Sequence, residues 1–182
     1  MATIKSENVD QWLKTLNGLI ENRKELFEKS IYPGAKIVAD ECRRRIDGLK
    51  VDNTLFSWSP WRKGITGGWK KALQESMGIA KLKKSKSVDG GWDVKLGFDG
   101  YSSIEEGHVY DINGKWKTKY NSSRNPNHHI PNSVIARTTE KGNGTNLPAQ
   151  PFMAQTVSAT EYAATKAIEK EFIKLFSKYV KG

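Results

Sequence analysis

A single cysteine in 182 residues excludes an intrachain disulfide, so the fold must be held without covalent cross-links. Cys42 shares a helical stripe with Ile31, Ala35, Val38 and Ile46, a setting that favours a buried, inert thiol over a nucleophile. Histidine is nearly as scarce, and the one pair, His128-His129, consists of neighbours that an irregular segment would turn to different sides. With no second cysteine and no His-Glu-x-x-His pattern, neither a metal site nor a cofactor is expected. Long apolar runs are missing as well, which argues against a membrane span, and Met1 to Glu7 lacks the apolar core of a secretion signal. The expectation is a chain made and kept in the cytoplasm, with no membrane partner.

Paired catalytic groups are also lacking. Asp89, Asp93, Asp99 and Asp111 fall in turns or at a solvent-facing strand position instead of forming a cluster. Gly64-Ile65-Thr66-Gly67-Gly68 has glycines but not the lysine and hydroxyl at phosphate-loop spacing, so helix capping explains it better. No catalytic constellation emerges, and an enzyme is not expected.

Positive charge is abundant. The formal charge is +10, and eight basic residues lie between Trp61 and Lys86 (Arg62, Lys63, Lys70, Lys71, Lys81, Lys83, Lys84 and Lys86) against one acid, Glu75. Such a surface attracts polyanions, duplex DNA foremost, without carrying sequence information. A solvated lysine face that keeps the protein soluble accounts for the same residues equally well.

The length suits one domain, residues 1–182, with enough apolar residues, 37%, to bury a real core. Val9, Trp12, Leu13, Leu16, Leu19, Ile20 and Phe27 recur at helical spacing over residues 7–28, with Ser6 or Asn8 as N-cap. A break around Ser30 to Gly34, with Pro33, leads into a second helical run to Asp47, closed by Gly48; the two form either one bent helix or a helical pair. Residues 51–65 read as an extended loop carrying Phe56, Trp58 and Trp61, and Thr66 is placed to cap a short helix from about Gly68 to Met77. Trp92, Val94, Leu96 and Phe98 alternate with polar residues and glycine, so residues 79–88 and 91–98 predict an antiparallel hairpin about Asp89-Gly90 with its lysines on the solvent face. A second hairpin signal, Val109 to Tyr120 about Asn113-Gly114, lies within residues 102–129 and reads as a protruding insertion. Residues 131–141 read as a short helix or strand.

The stretch from Gly144 to Phe152 carries two prolines just before a long amphipathic segment. Pro148 and Pro151 fix the approach of the chain, and Pro151 suits the first helical turn. Phe152 would anchor the helix on the core. Through residues 152–180, Ala164, Ile168, Phe172, Leu175, Phe176 and Tyr179 form one stripe, with Lys166, Lys170, Lys174 and Lys178 opposite.

Several pieces, read in order, resemble the tail-completion family, the small head–tail joining or neck proteins of long-tailed bacteriophages and prophages. They are Ala35 to Arg45; Thr66-Gly67 followed by Leu73-Gln74-Glu75-Ser76-Met77-Gly78-Ile79; Val94 to Tyr101; Ile135 to Gly142; and Gly144-Thr145 through Pro148-Ala149-Gln150-Pro151-Phe152. The chain departs from the family pattern where Asn143 and Gly144 lengthen one turn, where Gln150 replaces a frequent arginine, and where residues 102–129 exceed the usual connection.

The resemblance implies an α+β fold, a small twisted antiparallel sheet packed against a long C-terminal helix, with N-terminal amphipathic helices and an inserted hairpin. It implies a non-enzymatic virion protein of the neck, in the host cytoplasm during assembly, that forms a ring expected to be hexameric at the head-proximal end of the tail. Its partners would be the tail terminator, the tail tube or sheath, head connector or stopper proteins and, non-specifically, phage DNA. Lys81, Lys83, Lys84, Lys86, Arg62 and Lys63 would face the DNA channel. Trp58, Trp61, Trp116, Pro148, Pro151 and Phe152 would contact subunits or partners. The competing expectation is a cytoplasmic, non-specific DNA-binding protein whose lysines and tryptophans track phosphates and stack on bases.

Overall fold

The protein is described by a computed structural model covering residues 7–53, 63–86, 91–105, 109–110, 116–117, 129–144 and 147–181; for 7–12, 103–105, 109–110, 116–117 and 179–181 only the backbone is described. It is α+β. Among the described residues, four helices, α1 (Glu7–Asp47), α2 (Gly67–Ser76), α3 (Asn132–Lys141) and α4 (Phe152–Lys181), accompany eight short strands. These are β1 (Met77–Ile79), β2 (Lys83–Lys84), β3 (Trp92–Asp93), β4 (Leu96–Phe98), β5 (Tyr101–Glu105), β6 (Val109–Tyr110), β7 (Trp116–Lys117) and β8 (His129–Pro131). They pair antiparallel as β1–β4, β2–β3, β5–β8 and β6–β7, so the sheet component consists of two-stranded ladders.

The chain forms two compact units, each drawn from separated segments. One contains residues 1–37, 81–94 and 161–182; the other contains 38–80 and 95–160.

In the second unit, Ala39, Cys42 and Ile46 of α1 meet Ala72 and Leu73 of α2, Met77, Ile135 and Ala136 of α3, and Phe152 at the head of α4. Ile46, Ile65, Leu73 and Ile135 are wholly buried. Each such side chain contributes about 1.5–3 kcal/mol by leaving water. Thr66 caps α2, its hydroxyl accepting from the Trp69 N–H at 3.2 Å, while Asn53 Oδ1 accepts from the Gly67 N–H at 2.8 Å. Gly48 follows α1 directly, its N–H reaching the carbonyls of Arg44 and Arg45. Arg44 grips both oxygens of Glu41 at 2.6 and 2.7 Å, and with Arg45 alongside holds that carboxyl down at about 2. Burial pushes the Cys42 thiol up, as an inert core cysteine requires.

In the first unit, α1 and α4 run antiparallel. Phe27 meets Phe172 with ring centroids 6.1 Å apart, and Phe172 stacks on Phe176 at the same distance. Gly34 sits at a close approach of the two helices: a Cβ there would lie 2.5 Å from Ile168 Cγ1 and 2.8 Å from the Ala164 carbonyl oxygen. Pro33 cannot donate to the carbonyl four residues back, yet α1 continues through it as one helix. Of the two alternatives left open by the sequence, one bent helix or a helical pair, the pair is excluded, because α1 is one helix from Glu7 to Asp47 without the break expected at Ser30 to Gly34. Packing of the Phe27–Gly34 face on α4 offsets the missing bond.

The β1–β4 and β2–β3 ladders differ in register by one residue. Met77 pairs with Phe98 and Ile79 with Leu96, whereas Lys83 pairs with Asp93 and Lys84 with Trp92. Two residues, Lys81 and Leu82, therefore stand opposite Val94, the count of a β-bulge. This breaks the strict alternation expected over residues 79–98. Lys83 and Lys84 are adjacent and both exposed, so the lysines occupy both sides of β2 instead of one solvent face.

Residues 106–128 are inserted between the paired strands β5 and β8, and within them Val109 pairs with Lys117 and Tyr110 with Trp116. The expected turn at Asn113-Gly114 lies outside the described residues, as do Ser6, Phe56 and Asp89-Gly90. Residues 102–105 belong to the β5–β8 ladder, so the insertion is shorter than 102–129.

The Gly34 crossing yields a direct expectation. Gly34→Val should lower stability by about 1–3 kcal/mol, the range for overpacking, read as a fall in the urea unfolding midpoint with unchanged slope. A neutral result would mean that the helices do not approach at this point.

Candidate nucleic-acid face and the loop before the last helix

The basic segment is distributed unevenly over the fold. Lys70 donates to the Asp47 carbonyl at 2.6 Å and Lys71 lies 3.8 Å from Glu75, so both are engaged on their own unit. Lys81, Lys83, Lys84 and Lys86 are exposed, and none forms an ion pair among the described residues. The strand opposite explains their direction. Trp92 of β3 lines an apolar recess of about 330 Å³ with Phe27, Ile31, Ile168 and Phe172, which seats the hairpin on α1 and α4 and leaves β2 as an outer edge. Lys83 and Lys84 on β2, with Lys81 and Lys86 flanking it, create a local positive field suited to phosphate oxygens. Lysine on an edge strand also blocks edge-to-edge pairing with another chain, a purely structural role.

The remaining expected contact residues separate. Lys63 is exposed in the other unit, its N–H donating to Asp52 Oδ2 at 2.9 Å. Arg62, Trp58 and Trp61 lie outside the described residues, and Trp116 is placed only as a backbone position of β7. Pro148 and Pro151 are exposed. Phe152 is 2% exposed and meets Phe98 edge-on at 6.0 Å, so it belongs to the core and offers nothing to a partner.

The loop from Gly142 to Pro151 is a dense hydrogen-bonded joint. Gly142 has φ +68°, and a Cβ there would fall 2.5 Å from the Leu147 carbonyl oxygen. Only glycine satisfies both conditions. Asn143 closes the next turn twice: its N–H donates to the Leu147 carbonyl at 3.2 Å, and its Oδ1 accepts from the Leu147 N–H at 2.8 Å. The Gln150 N–H donates to the Thr139 carbonyl at 2.9 Å. Its side-chain amide then acts like a short strand against Lys50, accepting from the Lys50 N–H at 2.8 Å and donating to the Lys50 carbonyl at 3.3 Å. That carbonyl also accepts from Ile65, beside the Val51–Ile65 bridge. Arginine, frequent in the resembled family at this place, could donate but not accept.

Pro151 precedes α4 instead of opening it. Its carbonyl accepts from the Gln155 N–H at 3.2 Å, the role of an N-cap. The helix brings no acid in its first turn, and Glu140 of α3 supplies one: its carboxylate oxygens accept from the Met153 and Ala154 N–H groups at 2.8 and 3.0 Å. Arg45 adds a bond to Gln155 Oε1 at 2.8 Å. Sequence reasoning missed Glu140 because the cap comes from another helix thirteen residues away; the one available signal was a helix start with no acid of its own. Thr156 and Thr160 were missed as well. Both are buried on the apolar stripe, each hydroxyl donating to the carbonyl four residues back.

Among the described residues, no group of three or more His, Cys, Asp or Glu side chains is placed to hold a metal ion, and no helix is long and apolar enough to cross a membrane. Compared with known proteins, the chain matches no family model, no curated protein and no solved structure.

The Lys50 pairing makes Gln150 testable. Gln150→Arg should cost about 1 kcal/mol, the net worth of the hydrogen bond lost, measured by chemical denaturation. Gln150→Glu keeps the acceptor and should cost less. Equal stability of all three would show the pairing to be inconsequential.

Proposed function

We propose that this protein is a structural component of a bacteriophage neck, forming a ring at the head-proximal end of the tail and helping to join tail to head. The observation that carries the reading is where the motif pieces pack. Ala39 and Cys42, Leu73 and Met77, Ile135 and Ala136, and Leu147 and Phe152 come from four separate pieces of the resemblance, and Leu96 and Phe98 of a fifth lie against them. Motifs scattered over more than a hundred residues thus make one core, as expected if they encode a shared fold and not isolated coincidences. The α3–α4 joint adds to this, since Glu140, Gly142 and Gln150 all belong to the quoted motifs.

In this role the lysine hairpin contacts the phosphates of DNA in the channel, and the neighbours are the tail terminator, the tube or sheath and the head connector or stopper. The exposed lysines, unpaired among the described residues, favour a second reading, a cytoplasmic non-specific DNA-binding protein.

Electron microscopy of particles made without the protein tests the neck reading: heads and tails should accumulate unjoined, and normally joined, infectious particles would contradict it. Reversing the charge of Lys81, Lys83, Lys84 and Lys86 should reduce DNA retention and virion yield together. Unchanged values for both would remove the DNA-facing role, while tight, salt-dependent DNA binding by the isolated monomer would favour the second reading.

A further inference from the structure

The seam between α1 and α4 continues along α1 past the point where α4 covers it. Leu13, Ile20, Phe27 and Gly34 are spaced by seven and so share one face of α1. Phe27 and Gly34 pack on Phe172 and Ile168, but Leu13 is 51% and Ile20 61% exposed, and Leu16, on the same face, is 47% exposed. Leu26 and Leu175 line one recess, a register that brings the last described residues of α4 level with Ile20, so Ile20 lies beside the seam while Leu16 and Leu13 stand about 6 and 10 Å beyond it at 1.5 Å per residue. α4 carries an outer apolar pair of its own, Ile173 at 63% and Phe176 at 39% exposed. Its spacing of three repeats that of Leu13 and Leu16.

Charge identifies the occupant. Residues 7–22 hold three acids (Glu7, Asp10, Glu21) and one base, Lys14, an acidic segment in a chain of charge +10. Residues 166–181 of α4 hold five lysines and two glutamates. Pairing the N-terminal segment with its own copy sets like charges together; pairing it with α4 of another copy sets opposite charges together.

We propose that Leu13, Leu16 and Ile20 of one subunit dock on Ile173 and Phe176 of α4 in a second copy of this chain. The two patches differ, so the contact is heterologous and each subunit has both a donor and an acceptor surface. Repeated, it closes into a ring or propagates. It names the subunit contact of the proposed ring and rests on that reading only for closure.

Disulfide trapping tests it. Both positions are exposed, so Leu16→Cys and Phe176→Cys should leave the circular dichroism spectrum unchanged, and Cys42 is buried. Under oxidation over a concentration series, a mixture of the two variants should give a covalent dimer that neither gives alone, and Leu16→Lys should remain monomeric in light scattering wherever the parent chain associates. A dimer formed by Leu16→Cys alone overturns the proposal in favour of twofold self-pairing, and absence of any covalent species at every concentration overturns it outright. Trapping is read on purified protein and head–tail joining on particles, so either can fail without the other.

Discussion

The first turn of α4 exposes N–H groups that need an acceptor, and the helix supplies no acid to meet them. Glu140 meets two of them, placing a negative charge where the helix dipole favours it. Everything around the joint follows from holding these two helix ends together. Gly142 must turn with positive φ because the returning chain leaves no room for a Cβ. Asn143 must close the turn, and Gln150 then lies beside Thr139 and Lys50, tying the end of α3 to the segment after α1. With the backbone so fixed, Phe152 enters the core against Phe98. Pro148 and Pro151 stay outside and limit how the chain can arrive.

Much of this was legible in advance, and the exceptions have physical causes. The 3.6-residue period gave α4 and most of α1, and a threonine before two glycines gave the start of α2, because those signals are local. Continuity through Pro33 was not decidable, since the loss of one hydrogen bond is weighed against packing on a helix more than a hundred residues away. The bulge near Leu82 was hidden for a similar reason: register is a property of two strands, and alternation in either strand alone is blind to an extra residue. At the candidate site the lysines were visible as composition. That Trp92 seats their hairpin on two helices, leaving β2 as an edge, required the tertiary fold.

The two units differ in what they present to their surroundings. One unit holds a well-packed core beneath a rigid joint. The other presents an edge strand of lysines and two long helices whose apolar seam extends beyond their mutual overlap. In the proposed neck role the two properties are complementary: a rigid unit fixes geometry, while exposed surfaces of differing charge and hydrophobicity meet DNA and neighbouring subunits. Two of the carboxylates, by contrast, serve structural ends, Glu41 fastened to Arg44 and Arg45 and Glu140 to the head of α4.

The central claim is that the joint between α3 and α4 is an integral part of the core's cooperative structure and not a surface loop attached to it. Native-state amide hydrogen exchange tests this directly. The account predicts that the N–H groups of Gln150, Met153 and Ala154 exchange with the same opening free energy as those of Leu73 in α2 and Thr139 in α3. Exchange of these three through a separate, low-energy opening while Leu73 and Thr139 remained protected would contradict it.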